Sequence, residues 1–225
     1  SEYLSELSRD QEKIEKYTDA AARYAAAVTG ETGIAAFDAW SKELVETGYI
    51  HNHARMWFAS IWIFTLGLPW TLGADFFYRY LLDGDPASNT LSWRWVAGLH
   101  TRGKHYVARA DNIRQYTDGR FDPVGELNEA ADPLDGPDNP PAVRLRAPMS
   151  VPPGEPVVLL INEDDLTPER WPVASEQVKG VVLLPADEGY PRLSEQVRAF
   201  RSQAIADAAG RAERFFNCPV IRLAT

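Results

Sequence analysis

The first 120 residues of the chain carry apolar positions at helical spacing. Residues 4–28 are rich in Ala, Glu and Lys and contain no proline, which predicts a helix. After a Gly- and Thr-rich break, the pattern predicts four more helices, over residues 34–45, 51–66, 71–82 and 86–97. The third of these five helices is apolar on most sides, so we expect it to be buried. The first half of the chain is therefore predicted to be all-α.

The pattern changes after residue 122. Residues 123–155 are rich in proline and acidic residues, a composition typical of a linker. Beyond it, the sequence predicts two aliphatic strands, a helix and a third strand, over residues 157–161, 180–184, 191–216 and 219–223. Fully apolar strands that alternate with a helix predict a parallel sheet covered on both faces.

We therefore expect a mostly α chain in three parts: a helical domain over 1–122, a Pro-rich acidic linker over 123–155 and a partial α/β domain over 156–225. Three strands make a poor independent sheet. The natural protein is therefore expected to continue past Thr225.

Composition and short motifs exclude several classes of protein. No run approaches the roughly eighteen apolar residues of a membrane span, and the N-terminus lacks the features of a signal peptide. The single cysteine, Cys218, cannot form an internal disulfide, which favours a reducing compartment and predicts a cytoplasmic protein. His51 and His53 would point apart on a helix, so we predict no metal site.

Charge is distributed unevenly along the chain. The net charge of −9 argues against non-specific binding of nucleic acid. However, a locally basic segment contains Arg94, Arg102, Lys104, Arg109, Arg114 and Arg120. A strongly acidic segment follows it over residues 121–140. Both segments are open to interpretation as solvated surface, and the basic one also as a surface for phosphate groups.

One predicted helix carries polar residues on a single face. Asn52, Arg55 and Met56 stand at i, i+3 and i+4. A charged Arg55 on a largely apolar helix needs a partner, because an unpaired buried charge is costly. Asp83 and Asp85, in the turn before the fifth helix, are candidates. Asp85 can cap that helix, which leaves Asp83 to pair with Arg55.

Asn89 and Trp93 follow on the fifth helix, one turn apart. An amide followed by an indole on one face could hydrogen-bond and border a flat heterocycle.

These residues lie in two blocks that resemble DNA photolyases. Residues 47–56 resemble the family's T-G-W-M-H-N-R-x-R-M segment, and residues 82–98 resemble its I-D-G-D-L-A-A-N-N-G-G-W-Q-W-A-A-G. Weaker matches lie at 29–40 and 111–123, and the spacing between the blocks is kept. The resemblance is to the C-terminal part of the FAD-binding domain of the photolyase/cryptochrome family, truncated at its N-terminal side.

The resemblance implies an α-helical domain that holds FAD. It places the cofactor-binding residues at Asn52, Arg55, Asp83, Asp85 and Asn89, with Asn89 facing flavin N5. It also implies that the family's FAD-phosphate-binding loop lies before Ser1, so this fragment could lack FAD and activity. The antenna chromophore and the oligomeric state stay open.

The resemblance further implies a set of residues for light-driven chemistry. Trp93 and Trp70 match an electron-relay chain, and Met56 and Trp95 match the walls of a pocket for a flipped-out pyrimidine dimer. With Asn89 these form the predicted catalytic set. The implied partner is DNA containing pyrimidine dimers, contacted through the Arg94–Arg120 region.

Departures from the family pattern leave three functions open. His53 replaces an arginine, and Thr90, Leu91 and Ser92 replace an Asn-Gly-Gly run, which crowds the pocket mouth. The first hypothesis is a photolyase-like lyase that splits pyrimidine dimers with an electron from reduced flavin. The second is a cryptochrome-like photosensor without repair, and the third is a flavin-free scaffold for protein contacts.

Overall fold

The computed structural model describes residues 2–137, 139, 141–147, 152–184 and 193–223. The chain divides into two compact units, residues 1–139 and 140–225. The first unit is all-helical and the second holds a small parallel sheet, which confirms the predicted fold class. In the described part of the chain, no helix is both long and apolar enough to cross a membrane.

The helical unit contains seven described helices, α1 Glu2–Lys16, α2 Thr18–Thr29, α3 Ala35–Thr47, α4 Asn52–Ser60, α5 Trp70–Tyr80, α6 Pro86–Ala97 and α7 Ala110–Tyr116. A π-helical turn, Ile61–Thr65, extends α4. The sequence predicted α3, α5 and α6 to within two residues at each end. It missed α7, because seven residues are too few to show a helical period.

The single helix predicted over 4–28 is two helices, broken at Tyr17, which has an extended backbone conformation. The break lets each half dock separately. On α1, Asp10 accepts a hydrogen bond from Thr71 Oγ1 of α5 at 2.7 Å. On α2, the carbonyl of Ala27 accepts one from Ser41 Oγ of α3 at 2.8 Å. Tertiary contacts therefore overrode a continuous helical propensity.

The core of the helical unit is aromatic. Phe37 and Phe58 stack with ring centroids 4.1 Å apart, and Trp62 is fully buried beside them. Trp93 of α6 packs edge-on against Trp62, and the Trp93 ring also lies against Gly73 of α5. Because glycine has no Cβ, α5 and α6 approach closely enough for the Trp93 indole to cover the α5 backbone.

The described start of the predicted linker runs along the helical unit. Asn128 N donates to Thr65 Oγ1 at 3.1 Å, and Leu134 N donates to the carbonyl of Ala97 at 2.9 Å. Linker positions 138, 140 and 148–151 lie outside the described residues.

The second unit contains β1 Val157–Asn162, β2 Val178–Leu184, α8 Glu195–Phe216 and β3 Val220–Arg222. The strands pair in parallel in the order β1-β2-β3. Positions 191 and 192 of the predicted helix lie outside the described residues.

The expectation that the sheet is covered on both faces is wrong for the described residues. Leu159, Ile161 and Val181 are buried on the side where α8 packs. On the other side Val158 and Leu160 are 57% and 61% exposed. Continuous apolar strands predict two buried faces, but one helix supplies cover for only one.

The close approach at Gly73 predicts a large effect of adding one methyl group. A Cβ at Gly73 would lie 2.2 Å from Trp93 Cη2, so Gly73→Ala forces the helices apart or the indole out of its rotamer. We expect the free energy of unfolding of the helical unit to fall by about 1–3 kcal/mol, measured by denaturant titration. Trp93→Phe in the same chain removes the clashing atoms and is expected to reduce the penalty of Gly73→Ala. Equal penalties in both backgrounds would contradict this packing.

Candidate functional site

A cavity of about 660 Å³ lies among α4, α5 and α6 in the helical unit. Its polar lining comes from the N-terminal end of α4, the turn before α6 and α6 itself, and its apolar lining comes from all three helices. The lining side chains include all five predicted cofactor-binding residues, Asn52, Arg55, Asp83, Asp85 and Asn89. They also include Met56, Trp93 and Trp95.

The predicted ion pair between Arg55 and Asp83 is present and joins α4 to the turn before α6. Arg55 Nη2 lies 3.0 Å and 3.1 Å from the two carboxylate oxygens of Asp83. Arg55 Nε donates to the carbonyl of Ile50 at 3.0 Å, which fixes the guanidinium further. The Arg55 side chain is 24% exposed and that of Asp83 is 59% exposed, so solvent screens the pair from one side.

The turn that carries Asp83 is held against the end of α3. Leu82 N donates to the carbonyl of Gly48 at 2.9 Å, and a Cβ at Gly48 would lie 2.6 Å from Leu82 Cγ. Gly48 ends α3 with φ of 70°, a conformation that favours glycine. The Thr-Gly of one sequence block therefore packs against the Leu-Asp-Gly-Asp of the other.

Asp85 caps α6, as the sequence predicted. Its Oδ1 accepts from Ser88 N at 2.5 Å, and Pro86 occupies the first helical position. The cap satisfies a free N–H at the helix start and orients the first turn of α6 toward the cavity.

Asn89 lies on α6 with its amide partly fixed. Nδ2 donates to the carbonyl of Ala74 on α5 at 2.7 Å. In the described part of the chain its Oδ1 accepts no hydrogen bond, so the amide keeps unused capacity at the cavity wall.

The two predicted relay residues occupy different places. Trp93 is buried and lines the cavity. Trp70 is also buried but does not line it, and Trp70 Nε1 donates to Glu6 Oε1 of α1 at 3.2 Å. Arg94 lies over the Trp70 ring at 5.7 Å.

Met56 and Trp95 line the cavity as predicted. Trp95 is 41% exposed and stacks on Tyr106, with ring centroids 5.9 Å apart. An exposed indole held by a second ring is a preformed stacking surface.

Sequence reasoning missed part of the lining. Phe77, Leu81, Ser88, Val96 and His100 also face the cavity. The i, i+4 spacing of Phe77 and Leu81, and of Ser88 and Ser92, could have indicated that each pair shares one helical face. The sequence could not have indicated the contribution of His100, because this residue follows the end of α6 and its position depends on how the chain turns there.

The basic segment is partly neutralised by acids of the same unit. Arg114 lies 3.6 Å from Asp122, and Arg109 lies 3.5 Å from Asp111. These pairs are exposed and contribute about 0–1 kcal/mol each. Lys104 is exposed and has no acidic partner among the described residues.

The cavity has the chemistry of a site for a flat heterocycle with polar edges. Apolar side chains form one wall, a guanidinium and two carboxylates stand at one end, and the Asn89 amide keeps spare hydrogen-bonding capacity. Such a combination is typical of cofactor sites. Among the described residues no group of three or more His, Cys, Asp or Glu could hold a metal ion.

Comparison with known proteins agrees with this chemistry. The model of the FAD-binding domain of DNA photolyase matches residues 3–129. A deoxyribodipyrimidine photo-lyase of Streptomyces griseus is 40% identical over 98 residues, which are 38% of this chain and 22% of that protein. Cryptochrome-1 of Arabidopsis thaliana is 36% identical over 97 residues, 43% of this chain and 14% of that protein.

Relatives of a third kind also match. A chloroplastic/mitochondrial cryptochrome DASH of Oryza sativa subsp. japonica is 34% identical over 124 residues, 54% of this chain and 19% of that protein. The chain thus spans about a fifth of the length of the curated relatives it matches. No solved structure matches it.

The two aspartates of the turn are expected to differ in their contribution to stability. Asp85→Ala removes the α6 cap and should lower the free energy of unfolding by about 0.5–2 kcal/mol. Asp83→Ala breaks a solvent-screened pair and should cost about 0–1 kcal/mol. Denaturant unfolding followed by tryptophan fluorescence measures both. Asp85→Ser keeps a capping oxygen and serves as the control. A larger loss for Asp83→Ala than for Asp85→Ala would contradict these roles.

Proposed function

Because the chain belongs to the family of the FAD-binding domain of DNA photolyase, we propose that it is the flavin-contacting part of an FAD-dependent, light-driven photolyase-like lyase. Reduced FAD, when bound, would supply the electron that splits a pyrimidine dimer and receive it back afterwards. The residues of this chain would bind and orient the flavin and hold the dimer beside it.

The observation that carries the proposal is the convergence of one set of residues on one cavity. Asn52 and Arg55 come from α4, and Asp83, Asp85 and Asn89 come from a segment about thirty residues later. These are the positions at which the sequence resembles the family's flavin contacts. A purely structural role would not require five polar side chains to meet at a partly open cavity.

Each polar residue has a distinct proposed role toward FAD. Arg55, held by Asp83, would stabilise negative charge on the reduced ring system, because a guanidinium keeps its charge at all relevant pH. Asn89 would hydrogen-bond flavin N5 through the amide capacity left after its bond to Ala74. Asp85 would keep the start of α6 in place, and Asn52 would contact the cofactor from α4.

Substrate contact is proposed for the open end of the cavity. Trp95 would stack on a pyrimidine dimer flipped out of DNA, and Met56 would form the opposing wall. The basic segment Arg94–Arg120 would contact the DNA backbone, with the exposed Lys104 among its contributors. In the proposed relay, Trp93 borders the cavity and Trp70, which is buried but does not line the cavity, is the next donor. We also propose a cytoplasmic location, from the single cysteine Cys218.

The second candidate is a cryptochrome-like photosensor that does no repair. Leu91 lines the cavity and is half-exposed at its mouth, where it narrows access for a flipped base. The His53 imidazole stacks on Trp57, with ring centroids 5.8 Å apart. It therefore points toward that ring, whereas the family's arginine at this position would extend away. Both features favour photosensing, and relatives of both kinds match the chain.

Binding of FAD is the first experiment. Titration of FAD into the purified chain, followed by flavin fluorescence, is expected to give a Kd that rises about tenfold or more in Arg55→Gln. That loss corresponds to one charge-assisted hydrogen bond of about 1.5–3 kcal/mol. Arg109→Gln, an exposed arginine outside the cavity, is the matched control. If both substitutions changed the Kd equally, or if the chain and its natural-length form bound no FAD, the flavin-free scaffold would be the better conclusion.

Repair of an ultraviolet-irradiated oligonucleotide under blue light separates the two light-driven functions. The natural-length protein loaded with FAD is expected to convert pyrimidine dimers, counted by chromatography. Trp95→Ala should weaken binding of the dimer-containing oligonucleotide by about 1–3 kcal/mol, the value of one base–aromatic stack. Trp171→Phe, in the second unit, is the control. A flavin-loaded protein that reacts to light but repairs nothing would favour the photosensor.

A further inference from the structure

Three oxidisable rings form a continuous row from the cavity wall toward the surface of the helical unit. Trp93 lines the cavity. Trp62 lies edge-on to Trp93, with ring centroids 6.1 Å apart. Tyr24 of α2 lies edge-on to Trp62 at 5.9 Å, and it is only partly buried. Both separations are within the range of direct aromatic contact.

The other rings around this row cannot carry an electron hole at accessible potentials. Trp93 also contacts Phe77 at 5.0 Å and Phe58 at 6.5 Å. Trp62 also contacts phenylalanines, including Phe76 at 6.0 Å. Benzyl rings are far harder to oxidise than indole or phenol. Among the described residues, Trp62 is thus the oxidisable ring in contact with Trp93, and Tyr24 is the next one beyond it.

Trp70 lies off this row. Its ring contact is with Tyr3 at 5.7 Å, and among the described residues no ring contact joins Trp70 to Trp93. The Arg94 guanidinium over the Trp70 ring also opposes a positive charge on that indole.

We propose that Trp62 and Tyr24 form an electron path into Trp93, so that a partly exposed tyrosine of α2 is the terminal donor to a photo-oxidant in the cavity. The inference rests on the proposed flavin function and adds two donors to it. The sequence alone gives no reason to single out Trp62, which looks like an ordinary core residue.

A photoexcited isoalloxazine takes one electron from Trp93 and is reduced by one electron. Trp62 then gives an electron to oxidised Trp93. Trp62 Nε1 donates to the carbonyl of Pro69 at 2.9 Å, and a carbonyl is too weak a base to take the indole proton. Oxidised Trp62 therefore stays a cation and a strong oxidant.

Tyr24 completes the path. It gives one electron to oxidised Trp62 and releases its phenolic proton to water, which leaves a neutral tyrosyl radical. Burial, and less strongly Asp75, raise the pKa of the Tyr24 phenol, while Arg79 opposes them. The phenol is therefore protonated at neutral pH, and its oxidation must be coupled to loss of that proton.

The test supplies the photo-oxidant without relying on FAD affinity. Ser92 is exposed and lines the cavity, so Ser92→Cys in a Cys218→Ser background gives one thiol at the site. A bromoacetyl isoalloxazine is attached to that thiol in the full chain. The sample is illuminated and freeze-trapped, and electron paramagnetic resonance identifies the radical.

The expected result is a tyrosyl radical whose signal falls to background in Tyr24→Phe and in Trp62→Phe. In Tyr24→Phe, transient absorption should then show an oxidised tryptophan. Tyr106→Phe is the matched control, because Tyr106 also contacts a cavity tryptophan, and it should keep the signal.

A tyrosyl signal unchanged in Tyr24→Phe, a signal lost in Tyr106→Phe, or no tyrosyl radical in any variant would each overturn the proposal. The outcome is independent of whether the chain binds FAD. Failure of the flavin function therefore appears in the FAD titration, and failure of this path appears in the tethered protein.

Discussion

The ion pair between Arg55 and Asp83 is the interaction on which the site depends, because it joins two segments that are 28 residues apart in the chain. The guanidinium is partly buried and the carboxylate is exposed, so solvent screens the pair and its role is geometric rather than a large gain in stability. With Asp83 in place, the charge is neutralised at the cavity edge and the turn before α6 is tied to α4. That turn also carries Asp85, so the same contact orients the first turn of α6 and, one turn later, Asn89.

The aromatic core supports this arrangement from behind. Gly73 allows α5 and α6 to approach, and Trp93 fills the space between them while still reaching the cavity. One side chain thus serves both packing and the wall of the site. Because Trp62 must lie against Trp93 to complete the core, the packing that stabilises the helical unit also places a second indole behind the first. Core packing and electron transfer require the same property, close contact of rings.

The second unit is built on a small parallel sheet instead of an aromatic core. Its strands are apolar on both sides, but α8 covers one side and Val158 and Leu160 are exposed on the other. Arg201 pairs with Glu163 at 3.1 Å, and Arg211 binds Glu169 and the carbonyl of Leu166, which fixes the β1–β2 connection on the α8 side. The sheet is therefore organised around one helix.

Much of the fold was predictable from local pattern. Asp85 marked a helix start with its own chemistry, and the structure has the cap where the sequence predicted it. Gly48 ends α3 in the left-handed conformation that favours glycine. The need of Arg55 for a partner, with Asp85 used as a helix cap, likewise indicated that Arg55 and Asp83 would pair. These features depend on residues whose backbone or capping preferences act locally, or on a charge that has few acceptable partners.

The sequence by itself determined the helical class of the first unit, the strand positions of the second and the polar residues of the site. Only the tertiary structure decided that the first predicted helix breaks at Tyr17 and that Val158 and Leu160 are exposed on one side of the sheet. It also decided that, among the described residues, the ring of Trp62 rather than that of Trp70 contacts Trp93. The reason is physical. Helical period and caps depend on neighbouring residues, and a charge such as that of Arg55 has few acceptable partners. Which rings contact each other depends instead on how helices far apart in sequence pack together.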